Sequence, residues 1–513
     1  MEALDWIVIG VFALALIGII VWVVKQKQND SADYFLGGRD ATWLAIGASI
    51  FASNIGSEHL IGLAGAGASS GMAMAHWEIQ GWMILILGWV FVPFYSRSMV
   101  YTMPEFLERR YNSQSRTILS VISLISYVLT KVAVTVYAGG LVFQQVFGIK
   151  ELWGIDFFWI AAIGLVVLTA LYTIFGGMKS VLYTSVLQTP ILLLGSLIIL
   201  VLGFKELGGW DEMMRICGAV TVNDQGNTMT ELIRSNDDPN FPWLGALIGS
   251  AIIGFWYWCT DQFIVQRVLS GKNQKEARRG TIFGAYLKLL PVFLFLIPGM
   301  IAFALHQKYI GDGGFLPLLA NGTPNADAAF PTLVAKILPA GVKGLVVCGI
   351  LAALMSSLAS LFNSSAMLFT IDFYKRFKPQ TSEKKLVVIG QIATVVIVIL
   401  GILWIPIMRS VGDVLYTYLQ DVQSVLAPGI AAAFLLGITW KKTSAQGGMW
   451  GLIAGMVIGL TRLGAKVYYS NATVTDSSLF KYLFYDLNWL FFCGWMFLFC
   501  IVVVVVVSLF TTP

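Results

Sequence analysis

Charged residues are scarce in this sequence: Asp, Glu, Lys and Arg make up only 12% of 513 residues, about half the share of a soluble globular chain. That scarcity excludes a protein whose whole surface faces water. Cysteine is sparse too, with five residues (Cys217, Cys259, Cys348, Cys493, Cys500), none in a CxxC pair, which gives no sign of a redox motif or a thiolate metal site. Three histidines form no metal-type cluster. No GxxxxGK[ST] stretch is present and no apolar gap is long enough for a nucleotide-binding module, so an ATP-driven pump is excluded. HExxH, GxSxG and paired catalytic aspartates are also missing, which argues against an intramembrane enzyme. A net charge of +5 is too small to suggest nucleic acid as a partner.

What the sequence holds instead is apolar length. Hydrophobic residues reach 57% and the mean hydropathy is +0.78. A helix needs about 20 apolar residues to cross the hydrocarbon core, and this rule gives about 13 spans. They lie near 5–24, 41–66, 77–96, 118–145, 154–175, 181–203, 243–266, 281–305, 341–370, 386–407, 413–438, 448–467 and 486–510. The earliest is a leading span, too long for a signal peptide and without a cleavage site after it; the next ten are core spans 1–10. Basic stretches such as EFLERRYNSQSR, QRVLSGKNQKEARRG and YKRFKPQTSEKK fall on alternate loops. The positive-inside rule then places the N-terminus outside and the C-terminus in the cytoplasm of a multi-pass cell-membrane protein.

Polar residues inside spans are costly and mark function by default. They include Asn54, Ser57, Glu58 and His59; Glu78 and Gln80; Lys131; Asp261; Lys288; Ser356, Ser357, Ser360 and Asn363; Gln420, Asp421 and Gln423; and Arg462. They gather in core spans 1, 2, 6, 7, 8 and 10, which points to one wet interior path. Lys131 and Arg462 read as packing or snorkelling residues. Core span 1 is dense in Gly, Ala and Ser and holds the poor helix former SNIGSE at its centre. An unwound centre would offer carbonyls to a hard cation such as Na⁺. In core span 8, Ser356, Ser357 and Ser360 stand at spacings that share a face. They admit two readings, back-bonded small-residue packing or hydroxyl ligands for sodium. Core span 6 reads FWYWCTDQFIVQR over 255–267. Its aromatic triplet fits either lipid contact or the flat apolar face of a sugar. Asp261, about 4.5 Å further along the helix, suits a gating or packing network with Thr260 and Gln262, while Arg267 is expected to reach water at the interface.

The stretches ASNIGSEHLIGLAGAG, WYWCTDQFIVQRVLSGKN, YLKLLPVFLFLIPGM, LMSSLASLFNSSAMLFTIDFY and APGIAAAFLLGITWKK resemble the solute:sodium symporter family, and in particular its sodium/glucose cotransporter branch. The resemblance implies an all-α, five-plus-five inverted-repeat, leucine-transporter-like core with discontinuous core helices 1 and 6. On that reading 1–40 is the leading helix and a loop, 41–203 the first repeat, 204–240 an outer loop, 241–440 the second repeat and 441–513 two peripheral helices. It places a sodium site on the carbonyls of Ala52, Ile55 and Ala353 and the hydroxyls of Ser356 and Ser357. Sugar contacts fall on Asn54, His59, Glu78, Tyr257, Trp258, Lys288 and Gln420, and the outer gate on Leu63, Trp77 and Tyr416.

Three departures stand out. Gly254 replaces a polar side chain near the sugar, and Trp77 replaces a smaller aromatic at the gate. Ser185 and Ala359 stand where some relatives place ligands for a second sodium. The expectation is sodium symport of a monosaccharide by alternating access, one Na⁺ per sugar. Na⁺ is the coupling ion, no cofactor is needed, and the partners are sodium, sugar and membrane lipid. Inositol is the nearest rival solute, and a passive channel a more distant reading.

Overall fold

The structure is a computed structural model. It describes residues 1–26, 28–56, 58–319, 321–411, 415–470 and 478–512, without the side chains of 129, 407–411, 415–421, 467 and 470. Ser57 and the side chains of Tyr416, Gln420 and Asp421 therefore lie outside the described residues.

Among the described residues, eleven helices are long and apolar enough to cross a membrane. Two of them, Glu58–Ser98 and Phe157–Leu207, contain a glycine at which the helical path is interrupted: Gly71 (φ 78°, ψ −143°) and Gly177 (φ 55°, ψ −150°). Each run thus supplies two spans, which accounts for the thirteen read from hydropathy. Both glycines sit in backbone regions that residues with a Cβ avoid.

After the leading helix Ala3–Val24, core helix 1 is made of Trp43–Asn54, a wide turn Glu58–Leu63 and Ala64–Ser70. Core helix 2 runs over 71–98, core helix 3 is Ser113–Phe147, and core helices 4 and 5 meet at Gly177. Core helix 6 joins Trp243–Gly254 and a wide turn Phe255–Thr260 to Gln262–Leu269. Core helices 7, 8, 9 and 10 are Gln274–Lys308, Val342–Phe377, Glu383–Val411 and Leu415–Thr439. Ala445–Ser470 and Trp489–Phe510 follow.

Core helices 1 and 6 are both discontinuous, as the sequence leads one to expect. The first breaks at Ile55 (φ −77°, ψ 101°), the second at Asp261 (φ −78°, ψ 129°). Wide (π) turns, frequent at functional sites, recur in matching members of the two halves. They occupy Leu87–Phe91 and Val292–Leu296 in helices 2 and 7, and Tyr127–Val132 and Leu368–Tyr374 in helices 3 and 8. The first half of helix 1 packs against helices 5, 7 and 8. Helix 8 is largely enclosed by its neighbours, with 89% of its apolar window buried. It is the shaft against which the broken helices sit.

Gly177 also fixes a close approach. A Cβ there would lie 2.4 Å from the Tyr34 carbonyl oxygen, and the Tyr34 hydroxyl donates to Ile174 O at 2.9 Å. Gly177→Ala is expected to cost about 2 kcal/mol or more and to lower the midpoint of thermal unfolding in detergent by several degrees. An unchanged midpoint would mean that the 4–5 turn does not need this geometry.

Candidate functional site

Helix 1 stops at Asn54, so its last carbonyls lose their intrahelical donors. The Ile55 amide still reaches Phe51 O, but no backbone donor among the described residues reaches Ala52 O. Helix 8 supplies the compensation. Ser357 Oγ donates to Ser53 O at 2.7 Å and lies 3.4 Å from Ile55 O. Ser360 Oγ is 2.9 Å from Ser53 Oγ, and Ser356 Oγ is 3.4 Å from Ser185 Oγ. This contact depends on Gly56, where a Cβ would meet Ser357 Oγ at 2.7 Å. Ala52, Ile55, Ala353, Ser356 and Ser357 are all buried. The break therefore gathers carbonyl and hydroxyl oxygens at one place, a donor set of the hard, uncharged kind that suits an alkali cation.

A second locus lies on the far side of Asn54. A cavity of about 20 Å³ is lined by Asn54, Glu58, His59, Trp77, Glu78, Gln80, Ile253, Tyr257, Trp258, Lys288 and Gln423. Six of the seven sugar contacts expected from the sequence thus line one chamber. Of the gate residues, Trp77 lines it, with its ring 5.4 Å from that of Trp489 in the last helix. Leu63 is buried but does not line the chamber.

The chamber is strongly polar. Lys288 Nζ is 2.7 Å from Glu78 Oε2 and 2.7 Å from His59 Nε2, and Glu78 Oε1 is 3.3 Å from the same imidazole nitrogen. Asn54 Nδ2 donates to the Tyr257 hydroxyl at 3.0 Å and links the two broken helices. Four buried polar atoms, Asn54 Oδ1, His59 Nδ1, Gln80 Oε1 and Trp258 Nε1, have no hydrogen-bond partner among the described residues. Each such atom costs about 1–3 kcal/mol. They concentrate around one chamber, beside the apolar face of the Trp258 ring, and leave hydrogen-bonding capacity there. The cavity as it stands holds about one water, so any larger solute must part the Glu78–Lys288–His59 contacts and the gate.

A second cavity of about 20 Å³ has Asn54, Glu58 and Tyr257 as common wall and reaches Gly56, Ser53, Ser357, Lys131 and Thr135. One layer of side chains separates the oxygen cluster from the polar chamber.

The chain belongs to the sodium:solute symporter family. The family's model matches residues 34–455. Human sodium/myo-inositol cotransporter 2 is 36% identical over 529 residues, covering all of this chain and 77% of the relative. Rabbit (Oryctolagus cuniculus) sodium/glucose cotransporter 1 is 37% identical over 542 residues, covering all of this chain and 80% of its own. In fold the symporter superposes on a Na⁺-coupled sialic acid symporter in a substrate-bound outward-open state, with a TM-score of 0.81 at 22% identity, over all of this chain and 99% of that one. The protein is thus a multi-pass, sodium-coupled solute transporter and not an enzyme.

Lys131 and Arg462 take the packing and not the snorkelling alternative, and Arg267 sits differently from the sequence expectation. Lys131 does not snorkel: it is 7% exposed and its Nζ is 2.8 Å from Asp261 Oδ2. The rings of Tyr127, Trp256, Tyr257 and Phe263 surround that ammonium at 4.7–5.4 Å. Arg462 is buried as well, donating to Leu487 O at 2.8 Å over the Phe492 ring. Arg267 does not reach water: it is 1% exposed, and its Nε lies 3.0 Å and 3.2 Å from Ser53 Oγ and Ser49 Oγ.

Asp261 does join a network, but with helix 3 more than with its chain neighbours. It accepts from the Tyr127 hydroxyl and from Phe263 N, so the same carboxylate caps the second half of helix 6 and holds Lys131. Thr260 instead back-bonds to Trp256 O, and Gln262 accepts from Met103 N. Sequence reading also passed over the chamber roles of Glu58, Gln80 and Gln423. Their only signal was polarity at span depth. Removing one partner of the buried pair should be far worse than removing both. Lys131→Met is expected to destabilise by about 3–5 kcal/mol and Lys131→Met/Asp261→Asn by less than either single change, read by thermal unfolding in detergent. Additive losses would sink the assignment of this pair.

Proposed function

We propose that this symporter carries a neutral monosaccharide of the glucose or galactose kind into the cell by alternating access, with one Na⁺ per sugar. The observation that carries this reading is the chamber between the two broken helices, where four buried polar atoms without a partner among the described residues, the Glu78–Lys288 pair and the Trp258 ring converge. Sodium is assigned to Ala52, Ile55, Ala353, Ser356 and Ser357, and the sugar to Asn54, His59, Glu78, Tyr257, Trp258, Lys288 and Gln420. Leu63, Trp77 and Tyr416 form the outer gate and the Asn54–Tyr257 contact the inner one. The positive-inside rule supports an outside N-terminus and a cytoplasmic C-terminus.

A single sodium is supported by charge. The Ser185 hydroxyl already donates to Val181 O at 2.6 Å. The Arg267 guanidinium lies beside Ser49 and Ser53 with no ion-pair partner among the described residues, so a second cation there would face a fixed positive charge. Energy does not demand one: about 100 mV releases roughly 2.3 kcal/mol per charge, and a tenfold gradient adds about 1.4 kcal/mol. Together they sustain a sugar ratio of a few hundredfold.

Myo-inositol is the competing solute, favoured by relatives of that name at 36–38% identity. Uptake of labelled glucose, galactose and myo-inositol into proteoliposomes under a sodium gradient decides between them. Saturable hexose uptake that vanishes without sodium is expected, with one charge per sugar. Ser357→Ala and Gly56→Ala should each raise the sodium half-saturation at least tenfold. A charge-to-sugar ratio near two, or unchanged sodium dependence in Ser357→Ala, contradicts the sodium assignment.

A further inference from the structure

We propose that the Gln80 side-chain amide is a substrate-contacting, specificity-determining group that reads one ring hydroxyl, and that Gly254 is the space which admits it. This inference rests on the reading that the chamber takes a neutral polyhydroxylated ring.

Gln80 is 7% exposed, lines the chamber, and its Oε1 has no hydrogen-bond partner among the described residues. Its position in the fold is unusual. Residues two apart do not share a face of a regular α-helix, yet Glu78 and Gln80 both reach the chamber. Helix 2 tightens to three residues per turn from Gln80 to Trp82, which shifts the phase of the helix at this point. Across from it stands Gly254. A Cβ at 254 would meet Gln80 Oε1 at 3.0 Å, Gln80 Cβ at 3.2 Å and Met83 Cγ at 3.2 Å. The amide thus occupies the volume that any side chain at 254 would need.

A packing role alone does not account for this. Methionine would fill the same volume without burying an amide that lacks a partner, a burden of about 1–3 kcal/mol. An amide offers both a donor and an acceptor and no charge. It can therefore orient a hydroxyl without disturbing the Glu78–Lys288–His59 balance beside it.

The test uses the reconstituted full-length protein, with glucose, galactose and their monodeoxy analogues as probes, alongside myo-inositol. Gln80→Ala and Gln80→Met are expected to raise the sugar KM roughly 3–10-fold and to leave the sodium half-saturation unchanged. Wild-type protein should discriminate against one monodeoxy sugar that both variants transport as well as the parent. Gly254→Ser should raise KM by displacing the amide, and Gln80→Ala/Gly254→Ser should be no worse than Gln80→Ala. Gln80→Met should unfold at the same temperature as wild type or higher, where a purely structural role predicts a loss. An unchanged KM and deoxy profile in Gln80→Met, with Glu78→Gln inactive, overturns the role of Gln80 and leaves the sugar reading standing. Absence of sodium-dependent uptake of every neutral polyol in wild type overturns both.

Discussion

A helix broken inside a lipid bilayer leaves backbone groups that no water can satisfy, and the rest of this structure depends on how two such breaks are satisfied. At the first, the carbonyl end of Trp43–Asn54 is met by hydroxyls of helix 8 through the Ser357 contact to Ser53 O. At the second, the amide end of Gln262–Leu269 is met by the Asp261 carboxylate and the Tyr127 hydroxyl, both at Phe263 N. The two solutions differ in sign, as they must. Carbonyls gather donors or a cation, amides gather an anion. The oxygen-rich break keeps capacity for a cation. The break at Asp261 already has its anion, and Lys131 neutralises that anion in turn.

The same logic governs the charges of the chamber. Glu78 and Lys288 at 2.7 Å are tolerable in a low-dielectric interior only because each has the other and His59. Such a pair is a poor source of stability but a good reader of hydroxyls, because each charged group makes stronger hydrogen bonds than a neutral one. A hydroxyl inserted between them must replace what it separates. On the proposed reading, that requirement suits a neutral solute with several hydroxyls better than a carboxylate, which would confront Glu78 and Glu58 across the chamber.

Much of this was legible in the sequence. Length and hydropathy gave the spans, and a weak helix former gave the break in helix 1. Polarity at span depth gave the helices that line the path. The failures share one cause: a side chain's partner can be a hundred or more residues away. Lys131 read only as a packing or snorkelling residue, with no partner named, because Asp261 is 130 positions on. Arg267 looked interfacial because Ser49 and Ser53 lie in another span. Gln80 passed unremarked because a single uncharged polar residue carries little weight in a polar list. The meaning of Gly254 appears only when the space it leaves is measured.

The shared wall between the two cavities bears on coupling. Asn54 is the last residue of the first half of helix 1, two residues from the Gly56–Ser357 contact and hydrogen-bonded to Tyr257 of helix 6. On the proposed reading, an ion drawing the Ile55 carbonyl and the Ser357 hydroxyl together fixes Asn54, and Asn54 fixes Tyr257 under the sugar. No solute need touch the ion. Thermodynamic linkage then requires that sugar raise sodium affinity by the same factor by which sodium raises sugar affinity. A wall one side chain thick, built from the ends of two broken helices, is a short enough path for a bias of 1–3 kcal/mol, the usual scale of such couplings. Glu58 belongs to the same wall and faces both cavities, with Gln423 Nε2 at 3.5 Å on one side and Lys131 across the other. On the same proposed reading, its carboxylate would attract the ion and offset part of the repulsion from buried Arg267.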